Sequence, residues 1–307
     1  MPRSWSALAP GLAARVSDAL TYRQFLVGKA DELRGARDGA DGGDTPFLDA
    51  CLILAHCMGI SRERLFSKFP EATSDIPPTF KESWSRRLSG ESVAYIVGAK
   101  EFFGREFLVD RRVLVPRPDT ETLVMAALEI GDALVARSGV RKLRVHDVCS
   151  GSGAVAISIA AERPTWSVSA SDISPAALDV ARLNAERLLD KAMPMALADV
   201  LEGIEGPFDI ITANPPYVPT DETAALLAQG WKEPALALDG GPDGLAIMPR
   251  LIRQAGSTLV PNGFLLVEAD ALQSKSVRAM FLEEGFCDCR VWKDLAGLER
   301  ITGARKP

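Results

Sequence analysis

Leu143-Arg-Val-His-Asp-Val-Cys-Ser-Gly-Ser-Gly-Ala-Val-Ala156 is an apolar run that ends in a Gly-rich turn and resumes as a second apolar run. The first part is short and rich in β-branched residues, as a buried strand is. The second, over 154–162, is long enough for a helix. Working outward, the alternation continues with apolar or periodic segments at 166–171, 176–189, 208–213, 244–255, 263–267 and 272–284. Strand–helix alternation of this kind predicts a doubly wound α/β sheet. Two further apolar stretches, 286–292 and 299–302, have no helix between them and predict an antiparallel edge.

The residues before this region read differently. Tyr22, Phe25, Leu26, Ala30 and Leu33 share one helical face, and a second helix is expected over 46–58 with Phe47, Cys51, Leu54 and Ala55 inward. Pro77 and Pro78 suit the first turn of another helix that stops at Gly90. The Gly- and Asp-rich stretch 35–44 reads as a loop. Over 92–121 apolar and polar residues alternate around Gly98 and Gly104, which predicts a β-hairpin joining two domains. The expected boundaries are 1–20 (an extension), 21–90 (helical), 91–118 (hairpin linker) and 119–307 (α/β).

Composition excludes several classes. Hydrophobic residues are 47% and charged residues 25% of the 307, which excludes a disordered chain. No window approaches a membrane span, and the weakly apolar stretch 5–14 is broken by Pro10 and Gly11, so we read it as an ordinary extension. Five scattered cysteines and two histidines form neither a disulfide framework nor a zinc pattern, and point to the reduced cytoplasm. Residues 1–100 carry 13 Lys and Arg against 12 Asp and Glu, whereas the remaining residues carry 22 against 29. An acidic α/β portion is poorly matched to a nucleic-acid backbone.

Three groups carry chemistry. Gly151 and Gly153 lack a Cβ and let a ligand approach the turn after the first strand. Asp172 ends the next strand, where an acid can accept hydrogen bonds from both hydroxyls of a ribose. Together they point to a nucleoside cofactor, NAD-like or S-adenosyl-L-methionine. Asn214-Pro-Pro-Tyr217 follows the strand at 208–213 and decides between them. The two prolines fix the backbone. The Asn214 side-chain oxygen and a neighbouring backbone carbonyl can then accept both N–H groups of a planar NH2. Tyr217 offers a ring face for that group. His146 and His56 read as packed residues rather than bases. Cys287 and Cys289 are two apart on an expected strand, point the same way and read as packing residues.

These residues, with further motifs, resemble the bacterial peptide chain release factor glutamine N5-methyltransferases, the HemK/PrmC family. The motifs are 52–66 (LILAHCMGISRERLF), Gly90 to Ile96, Glu101-Phe-Phe-Gly104, Val115 to Glu121, Glu233 to Gly241 with Asp243-Gly244, and Lys293 to Gly297. The resemblance covers about residues 21–307. It implies a seven-stranded Rossmann-like class I methyltransferase domain with a small N-terminal helical domain that recognises substrate, joined by the hairpin. It also implies methyl transfer from S-adenosyl-L-methionine to the glutamine of the Gly-Gly-Gln loop of class I release factors, without nucleic acid or membrane as partner. By the same resemblance Cys149, Ser150, Gly151, Ser152 and Gly153 cradle the methionine part of the cofactor, Asp172 holds the ribose, and Asp199 and Val200 flank the adenine. Asn214, Pro215, Pro216 and Tyr217 hold the glutamine amide, with Asn214 also near the cofactor and Asn214, Pro215 and Tyr217 as the catalytic group. Cys149 stands where many relatives have glycine, which requires a negative φ. Val200 stands where an aromatic is frequent and offers no ring for adenine to stack on.

Rival readings make different use of the same residues. An N6-adenine nucleic-acid methyltransferase could hold a flipped base in the same pocket. A ribosomal-protein glutamine methyltransferase would share the pocket and differ in the protein chosen. A dehydrogenase or a non-enzymatic nucleotide-binding module has no need for Asn-Pro-Pro-Tyr.

Overall fold

The computed structural model describes residues 20–36, 45–73, 75–139 and 142–307. The expected extension 1–20 and the loop 35–44 therefore lie almost wholly outside the described residues. The chain divides into two units, Met1–Leu88 and Ser89–Pro307.

In the smaller unit the described residues form α1 (Tyr22–Ala36), α2 (Pro46–Met58), α3 (Arg62–Ser67) and α4 (Pro78–Leu88). The 3.6-residue period places Tyr22, Leu26, Ala30 and Leu33 inside, and Cys51 and Leu54 of α2 are fully buried. Phe47 is only half-buried, so it lies at the edge of that core. Gly59 in the left-handed region ends α2, and Ser61 caps α3 by accepting a hydrogen bond from the Arg64 amide. A buried ion pair between Arg87 and Asp49, 2.7 Å apart, ties α4 to α2.

In the larger unit α5 (Val93–Val97) leads into β1 (Ala99–Phe102) and β2 (Arg105–Leu108). The hairpin is shorter than 91–118 and belongs to this unit's core. Phe102 and Phe107 are buried, and the Asn184 side chain bonds both the amide and the carbonyl of Leu108. Then follow α6 (Glu121–Ser138), β3 (Arg144–Val148), α7 (Ala154–Glu162), β4 (Ser167–Asp172), α8 (Pro175–Leu188), β5 (Met195–Leu197) and β6 (Phe208–Ala213). The chain continues through α9 (Thr220–Ala228), α10 (Met248–Thr258), β7 (Leu259–Glu268), α11 (Ser274–Glu283), β8 (Cys287–Lys293) and β9 (Glu299–Arg305).

The sheet is seven-stranded, in the order β5-β4-β3-β6-β7-β9-β8. The first five are parallel, and β9 inserts antiparallel between β7 and β8. Successive residues alternate between two apolar cores: Ile210 and Leu266 pack in one, Ile211 and Leu265 in the other. Each central strand is therefore buried on both faces, which explains its near-continuous apolar sequence. The chain runs outward from β3 through β4 to β5 and then returns to β6 on the other side of β3. That reversal makes the carboxyl ends of β3, β4 and β6 a topological switch point, where open α/β sheets bind ligands.

Pairing is irregular in β8: Asp288 has φ 56° and the register shifts between Cys287 and Arg290, while Cys287 and Cys289 are both half-buried and Asp288 and Arg290 exposed.

Candidate active site

The turn after β3 places Ser150, Gly151 and Ser152 on the wall of a cleft of ≈ 270 Å³ in the larger unit. Cys149, Asp172, Asp199, Val200, Asn214 and Pro216 line it too. Gly153, Pro215 and Tyr217 do not. Gly153 has φ 79°, and a Cβ there would come within 2.9 Å of Ile157 Cδ1 and 3.2 Å of Ala181 Cβ. Its role is close helix packing beneath the turn. A Cβ on Gly151 would meet nothing within 4 Å, so the space beside that residue is open. Ser150 Oγ is buried with no partner among the described residues. An open glycine turn, an unengaged hydroxyl and an acid on the facing strand suit a nucleoside that carries an amino-acid arm.

Cys149 corrects one expectation. Its φ is 57°, not negative, and Val200 across the cleft has φ 58°. Both are side-chain-bearing residues in the left-handed region, a conformation that costs energy and that the surrounding structure must hold. Burial raises the Cys149 thiol above its usual range.

Asp172 receives the Gly151 amide on one oxygen at 2.8 Å and the Ser174 amide on the other at 2.9 Å. It therefore braces the glycine turn as well as facing the cleft. Burial raises its pKa, against the backbone hydrogen bonds that lower it. Asp172→Ala should weaken S-adenosyl-L-methionine binding about ten- to a hundred-fold, the loss of a charge-assisted acceptor of roughly 1.5–3 kcal/mol. Calorimetry checks this, and undiminished affinity would place the ribose elsewhere. Asp199 is already bidentate to Arg250, with both contacts at 2.6 Å. Arg250 lines the cleft and was not signalled by any motif.

At the end of β6 the Asn214 Nδ2 donates to Thr120 Oγ1 at 3.1 Å. Thr120 in turn donates to Glu268 Oε1 at 3.1 Å, and the Tyr217 hydroxyl donates to the same oxygen at 3.3 Å. The Tyr217 hydroxyl is thus turned to Glu268, and Tyr217 is not one of the residues on the cleft wall. Thr120 and Glu268 escaped the sequence reading as site residues. Glu233 accepts from the Val115 amide, Arg117 and Trp231, and so joins two of the motifs at the cleft rim.

Burial raises Asp147, on the cleft wall, to about 7 against a hydrogen bond from Thr212. His146 points away from chemistry. Its nitrogens meet Ser169 Oγ at 2.8 Å and Ser171 Oγ at 3.0 Å, its ring stacks on Phe208, and burial lowers its pKa to about 4. The folded chain keeps it neutral where the unfolded chain protonates it. Stability should therefore fall as pH drops from 6.5 towards 4, by about 3 kcal/mol from this group. Urea midpoints for His146→Phe should show a shallower acid loss than wild type; equal slopes would refute the assignment.

Among the described residues no cluster of His, Cys, Asp and Glu could hold a metal ion, and no helix is long and apolar enough to cross a membrane. Two family models match: Methyltransferase small domain over residues 128–236 and PrmC N-terminal domain over 38–98. Release factor glutamine methyltransferase of Burkholderia pseudomallei is 37% identical over 85% of this chain and 92% of its own length. Those of Neisseria gonorrhoeae and Cereibacter sphaeroides are each 38% identical, over 84% and 91% of this chain and 92% and 98% of theirs. Identity of this level along almost the whole length, with the cleft at the switch point and Asn214 and Pro216 on its wall, places the chain in the release factor glutamine methyltransferase family.

Proposed function

We infer that this chain transfers a methyl group from S-adenosyl-L-methionine to the side-chain nitrogen of the glutamine in the Gly-Gly-Gln loop of class I release factors. The observation that carries the reading is the Asn214 amide, whose nitrogen is engaged by Thr120 and whose oxygen is left for an incoming N–H beside the cleft. The cofactor supplies an electrophilic methyl on a sulfonium sulfur.

An amide nitrogen is a poor nucleophile because its lone pair is delocalised. Accepting its two hydrogens, at Asn214 Oδ1 and a neighbouring backbone carbonyl, raises electron density on nitrogen and aims it at the methyl. The positive charge that builds on that nitrogen as it takes the methyl would be stabilised by the same two oxygens, and the nitrogen would then release one proton to solvent. Ser150 to Ser152 and Asp172 would hold the cofactor, and Arg250 beside Asp199 and Val200 would bound its adenine end.

The reaction belongs in the cytoplasm, in keeping with five unbridged cysteines. Mass spectrometry of release factor, ribosomal protein and DNA, each incubated with enzyme and cofactor, tests the reading. One methyl on the Gly-Gly-Gln glutamine supports it, and a Gln→Glu loop should gain none, because a carboxylate offers no N–H and repels the two oxygens. Methyl on adenine in DNA instead would overturn it.

A pocket for one amide cannot distinguish proteins, so further surface must. We assign that role to the helical unit. A folded fragment beginning at Ser89, which keeps Phe102 and Phe107 in the core, should bind cofactor but methylate release factor poorly. Full-rate methylation by the fragment would give the helices another role.

A further inference from the structure

A primary amide has two orientations in the same space, and they have opposite consequences. With Oδ1 facing the cleft, Asn214 accepts a substrate N–H. Turned over, it presents its own N–H to another N–H and repels the substrate. The reading of Asn214 as acceptor therefore requires something that holds the amide one way round.

Proton counting identifies the holder. Glu268, the last residue of β7, is 1% exposed. As a carboxylate it can only accept, so both Thr120 and Tyr217 donate to its Oε1. A threonine hydroxyl has one proton. With that proton directed at Glu268, Thr120 Oγ1 can only accept from Asn214, 3.1 Å away, and Asn214 must present Nδ2. Its Oδ1 is then left to face the cleft. We propose that Glu268, acting through Thr120, locks the Asn214 amide with its oxygen towards the substrate, and is thus a positioning residue for methyl transfer.

Two further observations agree. Glu268 Oε2 is buried without a partner among the described residues, an arrangement that costs stability and that packing alone does not call for. The segment that supplies Thr120 is itself pinned. Arg300 of β9 bonds Asp294 at 3.0 Å and lies 3.3 Å from Asp270 and 3.5 Å from Asp119, the residue before Thr120.

The groups that act on Glu268 are Thr120, Tyr217, Arg300 and Asp119. Burial raises Glu268 to about 7 and raises Tyr217 above its usual range. Once protonated, Glu268 can donate to Thr120 and free the threonine proton for Asn214 Oδ1. The single-turnover rate should therefore rise as pH passes upward through about 7. Asp147 on the cleft wall also sits at about 7, and the variants separate the two.

The test measures single-turnover rate against pH, calorimetric affinity for S-adenosyl-L-methionine, and affinity for a glutamine peptide. Thr120→Val and Glu268→Leu should each lose about 10²-fold in rate through a misplaced amide, with weaker peptide binding and unchanged cofactor binding. Thr120→Ser should restore the rate, and E268Q should abolish the rise through neutrality. Wild-type rate in Thr120→Val, which leaves the acid in place and removes only the hydroxyl, overturns the proposal. So does an unchanged pH profile in E268Q. This inference rests on Asn214 accepting a substrate N–H. Loss in Asn214→Ala with full rate in both Thr120→Val and Glu268→Leu would sink the positioning role alone. Full rate in Asn214→Ala would sink the reading beneath it.

Discussion

Asn214→Ala should lower the rate of methyl transfer by about 10²–10³ and leave cofactor affinity nearly unchanged. The variant removes one of two preorganised acceptors for the substrate NH2, so the nitrogen loses both its aim and part of its activation. Charge develops on that nitrogen only as the methyl moves. The lost stabilisation thus falls mainly on kcat rather than on KM. The proposed cofactor residues lie apart from Asn214, Ser150 and Gly151 in the turn after β3 and Asp172 at the end of β4, and should stay in place. Single-turnover kinetics with saturating cofactor, beside calorimetry, separate the two effects. A rate within a few-fold of wild type would show that Asn214 does not touch the reacting amide. Equal losses in rate and cofactor affinity would make it a cofactor residue instead.

Much of the architecture was legible because it is local. The apolar runs at 208–213 and 263–267 mark strands buried on both faces, and Pro46 and Gly59 bracket α2. Several elements were not legible. At three residues β5 is too short to show a period, α6 precedes the alternation that begins at Leu143, and α9 is not signalled between 208–213 and 244–255. The place of β9 between β7 and β8 depends on pairing between distant segments, which no local pattern encodes.

The site divides in the same way. Asp172 ends β4, and Gly151 and Asn214 follow closely on β3 and β6, so their place on the cleft wall could be expected from position. Thr120 and Glu268 lie 148 residues apart in sequence and meet only in the fold, so no local pattern joins them. The conformation of Cys149 was misjudged because a left-handed φ on a cysteine leaves no mark in composition. The motifs at 115–121 and 293–297 were recognisable without an assigned task. The structure supplies one: Asp294 receives Arg300, and Arg300 reaches Asp119 beside Thr120.

The Asp-Gly-Gly and Asp-Gly motifs at 239–244 also gain a task, and it leads to the second large effect. The strand end that carries Tyr217 is laced to this segment: Val218 donates to Leu238, Gly240 to Val218, and Thr220 to Gly241. Gln273 donates to the carbonyls of Tyr217 and Asp243 at 3.0 and 3.1 Å. Gly244 lies beneath these bonds with φ 74°, and a Cβ there would sit 2.1 Å from the Tyr217 carbonyl oxygen and 2.4 Å from Gln273 Nε2. The first neighbour is backbone and cannot swing aside. Gly244→Ala must therefore move the Tyr217 segment or its own loop. The left-handed φ costs about 1–2 kcal/mol and the overlap about 1–3 more. The fold should survive, since the strands on either side keep their pairing, but the Asn214–Tyr217 turn should shift. Misplacement of about 1 Å is enough to lower the rate on the order of 10²-fold. Urea unfolding should thus show a loss of about 2–5 kcal/mol, and single-turnover kinetics a loss of that order, with S-adenosyl-L-methionine affinity largely retained. A control at Gly285, whose φ is 82° but whose Cβ would meet nothing within 4 Å, should lose only the backbone part and keep its rate. If Gly244→Ala methylates as fast as Gly285→Ala, the Tyr217 segment is not held in register from below, and Asn214 must be positioned by its own strand alone.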